Sequence, residues 1–113
     1  MLRKIYSLVV VFLLIYCSGK AQQTPVEIIS KKIADKMRDS LQLTVTQHDT
    51  LYAINVRLHN EQIAARQQYQ SLDSVRRKIQ RIENTRDSLY FPVLGSDKYS
   101  LYRSKKINLV NNN

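Results

Sequence analysis

Cysteine is almost missing from this 113-residue chain: Cys17 is the only one. A lone thiol closes no intramolecular disulfide, and zinc sites built from several cysteines are excluded with it. Tryptophan does not occur. Glycine and proline number two each, and none of the four lies between residues 26 and 91. So long a stretch without a helix breaker argues for helices nearly end to end. It also leaves no place for a glycine-rich phosphate loop or a nucleophile elbow. Acids are scarce too, 9 Asp and Glu against 18 Lys and Arg, a formal net charge of +9. That excess attracts acidic surfaces of any kind: nucleic acid, anionic lipid or acidic protein segments. The basic residues are scattered and no nucleic-acid-reading motif is present, so nucleic acid is not an expected partner.

What is present begins with a layout typical of secretory signals. Arg3 and Lys4 precede Ile5 to Tyr16, a 12-residue run that is apolar apart from Ser7. Gly19-Lys20-Ala21 then puts small residues at the −3 and −1 positions of a cut before Gln22. The run is shorter than the roughly 20 residues a spanning helix needs. Residues 1–21 are therefore expected to be a cleaved signal peptide. An uncleaved anchor is one other reading of this end. Lipid attachment at Cys17 is another, although that chemistry wants a small residue where Tyr16 stands. Cleavage removes Cys17 and the cations Arg3, Lys4 and Lys20 but no acid, which leaves a formal charge of +6. A small exported domain without disulfides must be stabilised by helix packing, and a homodimer is expected to assist.

The helical pattern is punctuated by caps. Thr24-Pro25-Val26-Glu27 reads as a capping box with proline at the first helical position. Val26, Ile29, Ile33, Met37 and Leu41 follow at helical spacing, giving a helix over about 25–42. Thr44-Val45-Thr46-Gln47 is a second capping box. Leu51, Leu58, Ala65, Leu72 and Ile79 then keep seven-residue spacing, a seam suited to another helix. A continuous helix over 45–88 would span about 66 Å at 1.5 Å per residue. Its glutamine-rich centre (Gln62, Gln67, Gln68, Gln70) permits a bend without forcing one. Pro92 is expected to end this element near Phe91, and Ser96 or Asp97 to cap a short last helix through Lys106. The fold class is all-α: an amphipathic first helix, a long helical hairpin-like segment and a short C-terminal helix, in a helical domain over 22–106 with an unstructured tail over 107–113.

Leu43-Thr44-Val45-Thr46-Gln47 fits the pattern Leu-Thr-x-x-Gln. In this motif, and in its size, charge and layout, the chain resembles the Spy/CpxP-like periplasmic proteins. The resemblance implies a small periplasmic helical protein, a dimeric cradle linked to envelope stress and to chaperoning without ATP. Relatives carry a second copy of the motif before the last helix. Here that stretch is Leu94-Gly95-Ser96-Asp97-Lys98-Tyr99, in which only Leu94 matches. Read this way, Gly95 is an ordinary linker, and threonine in its place should change stability little. Leu43, Thr44, Gln47 and Leu94 are assigned a structural role at helix ends.

The resemblance and the charge together direct attention to Arg57, Arg66, Arg76, Arg77, Lys78, Arg81 and Arg86 as client-binding residues. They would speed the capture of unfolded or exposed polypeptides while neighbouring apolar groups hold them weakly. A solvated helix face is the alternative for these residues. For the whole chain the alternatives are one dedicated envelope partner, or a weak contact with anionic membrane. Catalysis is not expected. His48 and His59, 11 residues apart, are separated by about 16 Å along a helix and cannot share a metal within one chain. His48 with Asp49 reads as a surface pair. No cofactor is indicated.

Overall fold

The cap at Thr44 and a second one at Ser71 divide the described residues into three α-helices. The computed structural model describes residues 22–111. The expected signal peptide, 1–21, and the last two residues of the expected tail lie outside the described residues.

Helix α1, Pro25–Leu41, starts at Thr24, whose hydroxyl accepts the Glu27 N–H at 3.2 Å. The Glu27 carboxylate accepts a hydrogen bond from the Thr24 hydroxyl (3.2 Å) in place of one from the Thr24 backbone N–H, so the expected box is half-made. The helix closes through Gln42 in the left-handed conformation (φ 53°), and Leu43 N–H reaches Arg38 O at 3.1 Å. From Ile33 onward the buried face is the expected stripe. Before it the face rotates: Ile29 is 40% exposed while Ser30 is buried. A small residue is needed there because the Ser30 carbonyl accepts a hydrogen bond from Asn55 Nδ2 of the next helix, at 3.4 Å.

Helix α2, Val45–Gln68, packs back along α1 and buries Leu51, Asn55, Leu58 and Ala65. Tyr69 then turns extended, and the Ser71 hydroxyl caps helix α3, Leu72–Lys106. The helical stretch over 45–88 is therefore bent, two helices folded on one another as a hairpin. Folding back lets Ile82, Tyr90 and Leu94 pack inside, which a straight rod in water would leave bare. The seven-residue seam ends with α2: Ala65 is buried, whereas Leu72, placed after the turn, is 63% exposed.

Pro92 does not end α3. The helix runs through it and breaks at Gly95, at φ 76° and ψ 170°. Proline this close to a helix end removes one N–H, and the carbonyl left over belongs to the exposed Ser88. Beyond Gly95 the helix resumes and packs Tyr102 on Tyr90, with ring centroids 5.1 Å apart. Asp87 fixes this return by accepting from Tyr102 Oη (2.9 Å), Arg103 (2.6 Å) and Lys106 (3.0 Å). Residues 107–111, expected as free tail, form a π-helical turn, Ile107–Asn111. Leu109 and Val110 are buried in the same cluster as Ile33, Met37 and Leu41, which explains the order there. The described residues form an all-α fold with no strand. Among the described residues no helix is long and apolar enough to cross a membrane.

Candidate functional site

The Leu-Thr-x-x-Gln segment sits where three helix ends meet. Thr44 Oγ1 accepts from Gln47 N–H at 3.1 Å, and Gln47 Oε1 accepts from Thr44 N–H at 3.0 Å. Gln47 Nε2 also donates to Val93 O at 3.0 Å. That carbonyl needs a donor because the break at Gly95 removes its partner four residues on. Lys98 Nζ completes the junction, reaching Gln42 O (3.0 Å) and Gln47 Oε1 (3.2 Å). Leu43 and Leu94 are buried beside it. Motif spacing gives the cap; the bridge from Gln47 to α3 and the part played by Lys98 depend on the tertiary fold. The one hint is that Lys98 stands where a second motif would carry glutamine.

The basic residues do not form one surface. Arg57 is paired with Glu61 at 3.1 Å on the exposed side of α2. Arg66, Arg76, Arg77 and Arg81 are exposed and Lys78 is half-buried, all toward the end of the α2–α3 hairpin. Arg77, Lys78 and Arg81 line a groove of about 230 Å³ with Tyr69 and Ser74. Arg86 is a correction: it is 1% exposed and cannot meet a client in this fold. One guanidinium nitrogen donates to both Glu83 carboxylate oxygens at 2.7 Å, while Nε and the other terminal nitrogen are buried without a partner. The signal for this was in the sequence, since Ile82, Arg86, Tyr90 and Leu94 recur every four residues.

Arg86 belongs to a polar layer inside the helices. Glu83 also accepts from Gln62 Nε2 at 2.9 Å. The Tyr90 hydroxyl donates to the Asn55 side chain, and His59 Nδ1 lies 3.0 Å from Asn55 O and 3.4 Å from Ser30 Oγ. Burial pushes the His59 imidazole below the ordinary histidine range, and the Arg86 charge adds to this against the Asn55 carbonyl and Glu83. Burial raises the Tyr90 and Tyr102 hydroxyls well above the ordinary tyrosine range, so both act as neutral donors.

His48 is more enclosed than a surface pair. Its Nδ1 lies 2.9 Å from Asp49 and its Nε2 2.7 Å from Asp35 of α1. The Lys31 ammonium holds the Asp35 carboxyl below the usual carboxylate range; burial opposes this, and His48 and Arg38 reinforce it. The cluster ties the start of α2 to α1. Among the described residues no group of three or more His, Cys, Asp or Glu side chains could hold a metal ion.

Comparison of the chain with family models, with curated proteins and with solved structures finds no match.

Proposed function

We propose that the chain is an exported, Spy/CpxP-like binding protein that holds unfolded or exposed polypeptides without ATP. The observation that carries this reading is the set of large apolar side chains left in water beside cations. Ile63 and Leu72 stand out from the hairpin near Arg66 and Arg76, and Phe91, Leu101 and Ile107 stand out from α3 and its extension among Arg103, Lys105 and Lys106. Exposed apolar groups of this kind mark surfaces that meet other macromolecules. The cations accelerate encounter with acidic stretches of a client. Arginine stems widen the apolar contact while their charge stays wet. The exposed apolar groups are divided between the hairpin and α3, which favours weak, reversible holding over a single tight complex.

The test is suppression of aggregation of several unrelated denatured proteins by the purified protein, with no nucleotide added. Suppression of all of them at comparable protein-to-client ratios is expected. Failure with every client, together with one stoichiometric partner in a pull-down, would replace this reading with that of a dedicated interaction protein.

A further inference from the structure

One pole of the molecule carries charge that its own fold does not neutralise. Residues 62–81 hold five cations, Arg66, Arg76, Arg77, Lys78 and Arg81, against one carboxylate, Asp73. Elsewhere several cations meet acids: Lys31 with Asp35, Arg57 with Glu61, Arg86 with Glu83, and Arg103 and Lys106 with Asp87. Among the described residues none of the five polar-end cations has an acidic partner within ion-pair distance. The position follows from helix lengths. Ser30 of α1 lies beside Asn55 and His59, and α1 begins only five residues earlier at Pro25, so the hairpin of α2 and α3 continues past it alone. The turn between the two helices presents Tyr69 and Leu72, the latter 63% exposed at the first position of α3. Arg76, Arg77 and Lys78 follow within about 6–9 Å along the helix axis. The groove on this face offers the hydroxyls of Tyr69 and Ser74 and three cations, and no carboxylate lines it.

We propose that this pole is a contact site for an anionic membrane surface; it shares Leu72 and Arg76 with the polypeptide-holding surface, but its vesicle test does not rest on that reading. Arg76, Arg77, Lys78 and Arg81 would meet lipid phosphates, and Leu72 and Tyr69 would enter the headgroup boundary. Cations near an anionic bilayer gain attraction that falls off within a Debye length. Tyrosine suits the interface because its ring is apolar and its hydroxyl wet. An acidic polypeptide would satisfy the charge equally well, but the groove is short, about 230 Å³, gives a chain little to wrap along, and does not include Leu72 in its lining. A bilayer surface meets the hairpin end directly and takes up the exposed leucine. The contact is peripheral, as in interfacial helices that lie against a membrane without spanning it.

The test is co-sedimentation of the cell-produced protein with vesicles of pure phosphatidylcholine or of phosphatidylcholine with phosphatidylglycerol, at low and moderate salt. The apolar N-terminal run, if retained, binds both vesicle types alike, so the readout is the anionic-specific, salt-sensitive part. Arg76→Gln with Arg77→Gln should weaken that part roughly ten-fold or more, at about five-fold per cation. Lys32→Gln with Lys105→Gln removes the same charge from exposed sites elsewhere and should change it far less. Leu72→Ser, at an exposed position that leaves the fold intact, should weaken it several-fold. Equal losses for the two charge pairs would overturn the proposal, leaving net charge as the only cause. So would an absence of anionic-specific binding. Binding to soluble polyglutamate as tight as to vesicles, with Leu72→Ser without effect on either, would overturn it in favour of an acidic polypeptide.

Discussion

Arg86 occupies a place in the α3 stripe where Ile82, Tyr90 and Leu94 set an apolar pattern. Its charge has one partner, Glu83, whose side chain is itself 20% exposed. Removing one member of a buried pair strands the other, whereas removing the buried charge costs far less. Glu83→Gln is therefore expected to destabilise by about 3 kcal/mol, and Arg86→Met to stay within about 1 kcal/mol of the parent; urea titration of the two variants checks the contrast. His59 gives a pH signature. Its folded-state pKa lies below the unfolded value near 6.5. Below that value the unfolded chain takes up a proton that the folded protein resists, so stability is full at neutral pH and falls as pH drops below about 6.5. Midpoints measured from pH 7.5 to 5 should fall, and His59→Gln should flatten the slope; the Asp35 contribution is lost only lower, below about pH 4. At Gly95 the sequence reading and the structure disagree. A Cβ there has nothing within 4 Å, yet the backbone at φ 76° and ψ 170° belongs to a region essentially reserved for glycine. Gly95→Thr should cost about 1–3 kcal/mol in place of the expected small change, and a melting curve decides it.

Helix starts were legible because capping is local: Thr24 and Thr44 act through amides three residues away. Thr44→Ala is expected to cost about 1 kcal/mol. Gln47→Ala should cost more, because it leaves Thr44 N–H and Val93 O unpaired at once; thermal melts of the two variants give the order. The hairpin is legible in the sequence only as a permitted bend, and no residue fixes its turn at Tyr69–Ser71. The polar residues around it permit a bend, but what selects one is burial of Ile82, Tyr90 and Leu94 against helices distant in sequence. Pro92 misled for the opposite reason. Its local preference is real, but one missing N–H near a helix end weighs little against burying Leu94 and placing Gly95 where the chain can turn. Of the seven basic residues singled out, six are accessible, and Arg86 was misplaced because residue type alone assigns arginine to the surface.

At the scale of the whole molecule the three helices are unequally protected. The region around Leu51, Tyr90 and Tyr102 is enclosed by α1, α2, α3 and the terminal turn, whereas the hairpin end beyond Ala65 rests on two helices. Hydrogen exchange should be fastest for amides of residues 66–78 and slowest around Leu51 and Tyr90, since local opening follows contact density. The expected homodimer is checked by light scattering, which should give twice the chain mass at tens of micromolar. The buried places of Leu109 and Val110 also impose an order in time. A chain made from its N-terminus produces Ile33, Met37 and Leu51 long before the two residues that seal them, and domains close only when their parts are present. Until that turn is synthesised, the core lacks its cover. If the chain is exported as proposed, the delay would keep it open for as long as the translocating thread must remain flexible.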